Sequence, residues 1–207
     1  LDAYALIYRA YYALNRNPRI NSKGLNTSAI LGFANTLFEV MQNEKPDYMA
    51  VVFDPKGLTF RSDIYPEYKA NREKTPEDII DAIPYIKSMI DGFGIEQIVV
   101  DNYEADDVIG TLAAVGASHG IEVVVSSGDK DLAQLVNEHI TIIDTMNGKR
   151  RDVAGVLEEF GVPAHLMLDY QNLVGDTVDN VPGVAKVVRV FELISEEELA
   201  KIQPPSK

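Results

Sequence analysis

At 207 residues and 46% apolar content, the chain is long enough for one domain with a sizeable core, or for one domain with a small appendage. With 19 basic against 32 acidic residues the formal net charge is −13, which argues against a nucleic-acid binder that works by bulk positive charge, though not against one whose carboxylates are neutralised by metal ions. The absence of cysteine excludes disulfides and thiolate metal sites, and no apolar run approaches the roughly 20 residues of a membrane span, so a soluble cytoplasmic protein without a membrane partner is expected.

In chain order, Leu1-Asp2 leads directly into an aromatic-rich helical stretch, 4–14, with Ile7, Tyr8, Tyr11 and Tyr12 on one side, and the natural start of the domain is expected upstream. A loop with Asn17, Pro18, Asn21 and Gly24 precedes a core helix over 28–41, where Ile30, Phe33, Leu37 and Met41 recur at helical spacing. The apolar run 49–53 suits a buried parallel strand and ends on Asp54. From 59 to 74 base and aromatic alternate, in Phe60, Arg61, Tyr65, Tyr68, Lys69, Arg72 and Lys74, with little apolar period. Thr75-Pro76-Glu77-Asp78 reads as the cap and acidic first turn of a helix through Ile79, Ile83, Ile86 and Ile90, kinked at Pro84.

Strands are expected at 95–100, 121–125 and 141–144, with a helix opening at Glu104-Ala105-Asp106-Asp107 and another from Leu132. Strands and helices alternating at this spacing predict an α/β fold, a mainly parallel central sheet with helices on both faces, whose sites lie at the carboxyl ends of the strands. Helices at 153–160 and 163–174 and an acidic turn at 175–183 follow, dividing the chain into an α/β unit over 1–160 and a helical subdomain over 161–207. His119, His139 and His165 are scattered and read as surface residues.

The carboxylates Asp2, Asp54, Glu104, Asp106, Asp107, Asp129, Asp131, Asp176 and Asp179 are candidates for one site. Buried like charges raise one another's pKa, so such a cluster needs cations. All-oxygen donors without His or Cys favour Mg²⁺ or Mn²⁺, and so many acids suit two ions better than one. A pair of such ions activates water and stabilises both the attacking and the leaving oxygen in phosphodiester cleavage.

The stretches LDAYALIYRAYYAL, TSAILGF, VVFDPKGLTFR, YPEYKANR, YEADDVIGTLA, SSGDKDL and GDTVDNVPGV occur here in this order. Together they resemble the 5′-nuclease domain of bacterial DNA polymerase I and its flap endonuclease relatives, from Asp2 to about Gly183. The resemblance implies a PIN-like fold with a helical arch over about 59–76, and a two-metal, structure-selective 5′-3′ exonuclease and flap endonuclease acting in replication and repair. It implies that Asp2, Asp54 and Asp106 hold one Mg²⁺ or Mn²⁺, with Glu104 acting through water, and that Asp106, Asp129, Asp131 and Asp179 hold a second. Asp107 and Asp176 are then groups of the metal site that orient waters or ligands.

In the same reading Tyr68 stacks a base, Lys69 and Arg72 steer the scissile phosphate, Arg9 faces that phosphate, and Arg61 and Lys186 add DNA contacts. The implied partner is DNA with a 5′ single-stranded flap or end, bound by a monomer, with a polymerase domain on the same chain as a possible companion. The family follows GDxxDNxPGV with a second glycine turn and a Lys-Thr pair that form a helix-three-turn-helix, commonly around K⁺. Here Pro182-Gly183-Val184 runs into Ala185-Lys186-Val187-Val188, so that subdomain is expected to be shortened and its K⁺ site altered. A PIN-type metal-dependent RNase and a non-catalytic DNA-binding module retaining the fold are the alternatives, whereas a Ca²⁺-binding DxDxDG loop is absent.

Overall fold

A computed structural model describes residues 1–145 and 147–184. The alternation of strand side chains sets its layers. In β1 (Ala50–Val52) and the residue after it, Val51 and Phe53 enter one apolar cluster and Val52 enters another, because successive side chains point to opposite faces. The first cluster receives α1 (Ala3–Ala13), α2 (Ser28–Glu44) and α4 (Glu77–Gly92), through Leu6, Ile7, Phe33, Leu37, Ile79 and Ile86 among others. On the opposite face lie α5 (Ala105–Ser118), α6 (Val153–Phe160) and α7 (Met167–Val174), through Val108, Ile109, Val156 and Met167. Val162, Ala164 and Met167 belong to that same cluster, so the chain between 161 and 167 is continuous with the α/β core.

Two small sheets lie between these layers. β1 pairs in parallel with β2 (Glu96–Ile98), and β3 (Val123–Ser126) pairs in parallel with β4 (Ile140–Asp144), which carries β5 (Lys149–Arg151) antiparallel on its other edge. The backbone of Leu1 and Asp2 joins the two: Val52 N–H donates to the Leu1 carbonyl at 2.9 Å and Asp2 N–H to the Ser126 carbonyl at 3.1 Å. Asp2 then caps α1, its Oδ1 accepting the Ala5 N–H at 3.1 Å. Where α1 crosses α2 the backbones touch so closely that a Cβ on Gly32 would lie 2.4 Å from that of Ala10.

The four expected strands and the helices through α6 form close to their expected positions. β5 has no counterpart in the sequence reading, because three basic residues carry no apolar signal; it forms by pairing with β4. The helix expected from Leu132 is instead a 3-10 turn, Asp131–Leu135, since the chain must be back beside β3 by His139, whose carbonyl accepts the Val123 N–H. Thr75 does not cap α4; its hydroxyl accepts from Tyr8 Oη at 2.8 Å.

The arch stretch holds a single short helix, α3 (Phe60–Ile64), which stops because Tyr65 is extended before Pro66. Linked turns follow through Arg72, with Lys69 in the left-handed region at φ 55°. Among the described residues no helix is long and apolar enough to cross a membrane. Lys186, the segment after Val184 and the K⁺ site expected there lie outside the described residues.

Candidate metal centre

Four carboxylates gather where the strands end, and backbone or hydroxyl groups fix three of them. Asp2 is 5% exposed, and its Oδ2 accepts from Ser127 Oγ at 2.7 Å. Asp54, two residues past β1, accepts the Ala105 N–H at 2.8 Å and so meets the electropositive start of α5. Asp129, in the loop after β3, accepts the Asp131 N–H at 2.8 Å and donates its own N–H to Ser127 Oγ at 3.1 Å. The fourth, Asp106, sits in the first turn of α5. Burial and then the charges of Asp129, Asp2 and Asp54 push its carboxyl up to about 8. Burial likewise raises Asp2 and Asp129. None of these four acids forms an ion pair among the described residues.

The remaining candidate acids are covered by cations of the chain itself. Glu104 Oε2 accepts from Tyr68 Oη and Lys69 Nζ, both at 2.9 Å. Asp179 accepts from Tyr68 Oη at 3.0 Å and from Arg72 Nη2 at 2.5 Å. Lys130 Nζ donates to Asp176 at 2.6 Å and to Asp131 at 3.1 Å, while Gln171 Nε2 also reaches Asp131 at 2.6 Å. Burial, opposed by Lys130, leaves Asp131 raised; at Asp176 burial is outweighed by Lys130 and two backbone N–H groups, which hold it below the usual carboxylate range. Arg61 grips both oxygens of Asp107, at 2.6 and 2.7 Å, and its hydrogen bonds hold that carboxyl low. Burial, then Asp179 and Glu104, keeps the Tyr68 hydroxyl protonated, and its one hydrogen is shared between the two acids.

The acidic turn is docked on the arch stretch by main-chain contacts that the sequence did not reveal. Lys69 N–H donates to the Asp179 carbonyl at 3.0 Å, Asn180 Nδ2 to Glu67 O at 2.8 Å, and Asn71 Nδ2 to Thr177 O at 2.9 Å. Tyr65 Oη adds a longer bond to Asn180 O at 3.2 Å. At the neck of the turn, a Cβ on Gly175, whose φ is 77°, would fall 2.2 Å from the Gly183 nitrogen. Beside Glu104 an open cavity of about 390 Å³ is lined by Gly57, Thr59, Tyr68 and Lys69.

Arg9 donates to Asp144 at 2.7 Å and to Thr145 Oγ1 at 2.5 Å, two residues that the sequence did not single out. Ser127 was also missed as the support of Asp2 and Asp129. Its only signal was its place in the Ser-Ser-Gly turn after a strand.

Among the described residues no three or more acidic or histidine side chains are placed, as they stand, to hold a metal ion. The inner group nevertheless suits hard divalent cations: all its donors are oxygen, and its charges oppose one another with no side-chain cation paired to them.

This fold recurs in solved nucleases. A bacteriophage T5 flap endonuclease, described as a pseudo-enzyme-product complex with DNA and metal ions, aligns with a TM-score of 0.74 at 17% identity, over 89% of this chain and 68% of that one. The catalytic core of Rad2 with DNA substrate aligns at 0.53 and 18% identity, over 89% of this chain and 55% of its own. By sequence, residues 1–161 match the family described as 5′-3′ exonuclease, N-terminal resolvase-like domain, and the chain belongs to that family.

The DNA polymerase I of Pseudomonas aeruginosa is 44% identical over 187 residues, covering 90% of this chain and 20% of the polymerase. The 5′-3′ exonuclease of Aquifex aeolicus is 42% identical over 187 residues, covering 90% of this chain and 64% of that protein. The chain thus spans about a fifth of that polymerase and less than two thirds of that exonuclease.

Proposed function

We propose that the chain is a two-metal 5′ nuclease that hydrolyses DNA phosphodiesters at or near the junction of a 5′ single strand and duplex, in the bacterial cytoplasm. Supporting this reading above all is the inner carboxylate group at the strand ends, where Asp106 is pushed up to about 8 by burial and by Asp129, Asp2 and Asp54. Family membership and the T5 complex with DNA and metal ions point the same way.

Asp2, Asp54 and Asp106 would hold one Mg²⁺ or Mn²⁺, with Glu104 acting through water, and Asp106, Asp129, Asp131 and Asp179 a second. Bound there, the ions would supply Lewis acidity and an activated water at neutral pH. The chain's own residues prepare the rest. Ser127 and the Ala5 N–H fix both oxygens of Asp2, and the Ala105 N–H fixes Asp54, so these carboxylates are oriented before any ion arrives. Lys69 and Arg72, held at Glu104 and Asp179, stand at the edge of the same site and would bind and orient the scissile phosphate once released from those acids. Tyr68 lies between the same two acids, where it can stack a base of the single strand. Arg9, bound to Asp144 and Thr145, would approach the phosphate only by exchanging those partners.

Single-turnover cleavage of a labelled 5′-flap duplex in Mg²⁺, with an EDTA control and Asp129→Asn, tests the reading. Metal-dependent cutting near the junction, abolished by the substitution, is expected. Binding without cutting by the wild-type chain would favour a non-catalytic module, and preference for an RNA strand would favour the PIN-type RNase.

A further inference from the structure

Asp106 and Asp107 are adjacent, yet α-helical geometry turns them about 100° apart and their surroundings differ completely. Asp107 has no oxygen to spare. Its Oδ1 accepts Arg61 Nη2 at 2.7 Å, and its Oδ2 accepts both Arg61 Nη1 at 2.6 Å and the Glu104 N–H at 3.0 Å. The two parallel N–H···O bonds give the planar fork geometry in which Arg is not replaceable by Lys without loss. Arg61 is further occupied by the ring of Phe60, with Cζ 4.8 Å from the ring centroid. Phe60 in turn meets Tyr103 at 5.6 Å between ring centroids and donates its N–H to the Asn102 carbonyl at 3.3 Å. The start of α3 is therefore fastened to residues 102–107 by an ion pair, a ring contact and a backbone hydrogen bond.

We propose that Arg61 and Asp107 act together as a positioning clamp, which anchors the base of the arch stretch against the first turn of α5 and sets Glu104 opposite Tyr68 and Lys69. The idea rests on the reading of residues 60–72 as the DNA-handling arch of a 5′ nuclease. It removes Asp107 from the metal-binding acids and Arg61 from the DNA contacts. The clamp lies at one end of the segment, and Lys69 and Arg72 lie at the other. The tip is held differently, by separate single bonds: Lys69 to Glu104 at 2.9 Å, Arg72, itself 50% exposed, to Asp179 at 2.5 Å, and the Lys69 N–H to the Asp179 carbonyl at 3.0 Å.

The experiment is a double-mutant cycle on the whole chain with Asp107→Asn, Arg61→Gln and their combination, together with Arg61→Lys. Three readouts are taken: single-turnover cleavage of the 5′-flap duplex in Mg²⁺, calorimetric Ca²⁺ affinity without DNA, and amide hydrogen exchange at residues 61–65. A clamp predicts that each single variant slows cleavage by about tenfold, that the double is no worse than the worse single, and that Arg61→Lys recovers part of the rate. Ca²⁺ affinity and flap affinity should stay within about twofold of wild type, and exchange at 61–65 should quicken equally in both singles and the double.

A drop of about tenfold or more in Ca²⁺ affinity for Asp107→Asn would make it a metal ligand and overturn the proposal. A loss of flap affinity for Arg61→Gln, with the salt slope lowered by about one, would make Arg61 a phosphate contact and overturn it equally. If the wild-type chain cuts no flap, the nuclease reading fails, while coupled exchange at 61–65 still decides the clamp.

Discussion

The inner and outer carboxylates of the site differ in what holds them. Asp2, Asp54 and Asp129 are fixed by backbone N–H groups and a serine hydroxyl, and among the described residues neither they nor Asp106 forms an ion pair, Lys69 and Lys130 acting on Asp106 and Asp129 only from a distance. Glu104, Asp107, Asp131, Asp176 and Asp179 are instead neutralised by Lys69, Arg61, Lys130 and Arg72. Neutral groups set the geometry of the first set and offset only part of the cost of its burial, which leaves Asp2 and Asp129 raised, a cost that the proposed divalent ions would relieve. The second set is already satisfied. Apart from the bidentate Arg61–Asp107 pair, its single ion pairs are worth about 1 kcal/mol each, so phosphate or metal can exchange with them at small cost. A fixed inner group and an exchangeable outer one are what a site needs if it must be ordered before substrate arrives and still open to admit it.

Removing a charge from the inner group should have the largest effect. Asp106→Asn is expected to cut single-turnover cleavage by about a hundredfold or more. In EDTA it should raise the melting temperature by roughly 3 °C, because it replaces a carboxyl that burial, and then the neighbouring acids, penalise by on the order of 1 kcal/mol. A fall in both quantities would mean that Asp106 supports the fold and would break the contrast between the two sets.

Arg72→Gln addresses the outer set. Its side chain is half exposed, and urea unfolding should register no more than about 0.5 kcal/mol of lost stability. Flap affinity in Ca²⁺, read by anisotropy over a salt series, should fall about fivefold, with the slope reduced by about one. Equal losses in stability and in binding would place Arg72 among the structural pairs.

The smallest effect belongs to a pair on β5 and α6. Arg151 Nε donates to Glu159 at 2.6 Å, and this bond, with help from Lys149, holds the Glu159 carboxyl below its ordinary 4.5. Its stabilisation is therefore full above 4.5 and disappears as pH falls through the lower folded-state value. Glu159→Gln should lower the melting temperature slightly near neutral pH and not at all in strong acid, with flap cleavage unchanged.

Much of this was legible in the residues because burial and chemistry write periodic or clustered patterns. Ile79, Ala82, Ile86 and Ile90 announce α4, and Val51-Val52-Phe53 followed by Asp54 announce a strand that delivers an acid to its end. Contacts distant in sequence were not legible. Nothing local in Arg61 says that its partner is Asp107, nor in Lys69 that its partner is Glu104, and both were read as free to meet DNA. The 3-10 turn after Asp131 was misread for the same reason: the length available before β4 overrode local propensity. β5 was invisible because its apolar partner surface belongs to another strand.

The two-residue junction at Leu1 and Asp2 has a consequence for how the molecule fails. Asp2 and Asp54 stand on the elements packed with α1, α2 and α4, whereas Asp106 and Asp129 stand on those packed with α5 and β3. Neither half of the molecule owns a complete set, and the acids meet only across the seam where Val52 and Ser126 share the backbone of the first two residues. Parting that seam by a fluctuation far smaller than unfolding would draw Val52 from its cluster and scatter the quartet while the rest of both clusters stayed packed. The proposed cleavage would then be lost in a protein that circular dichroism still reports as folded.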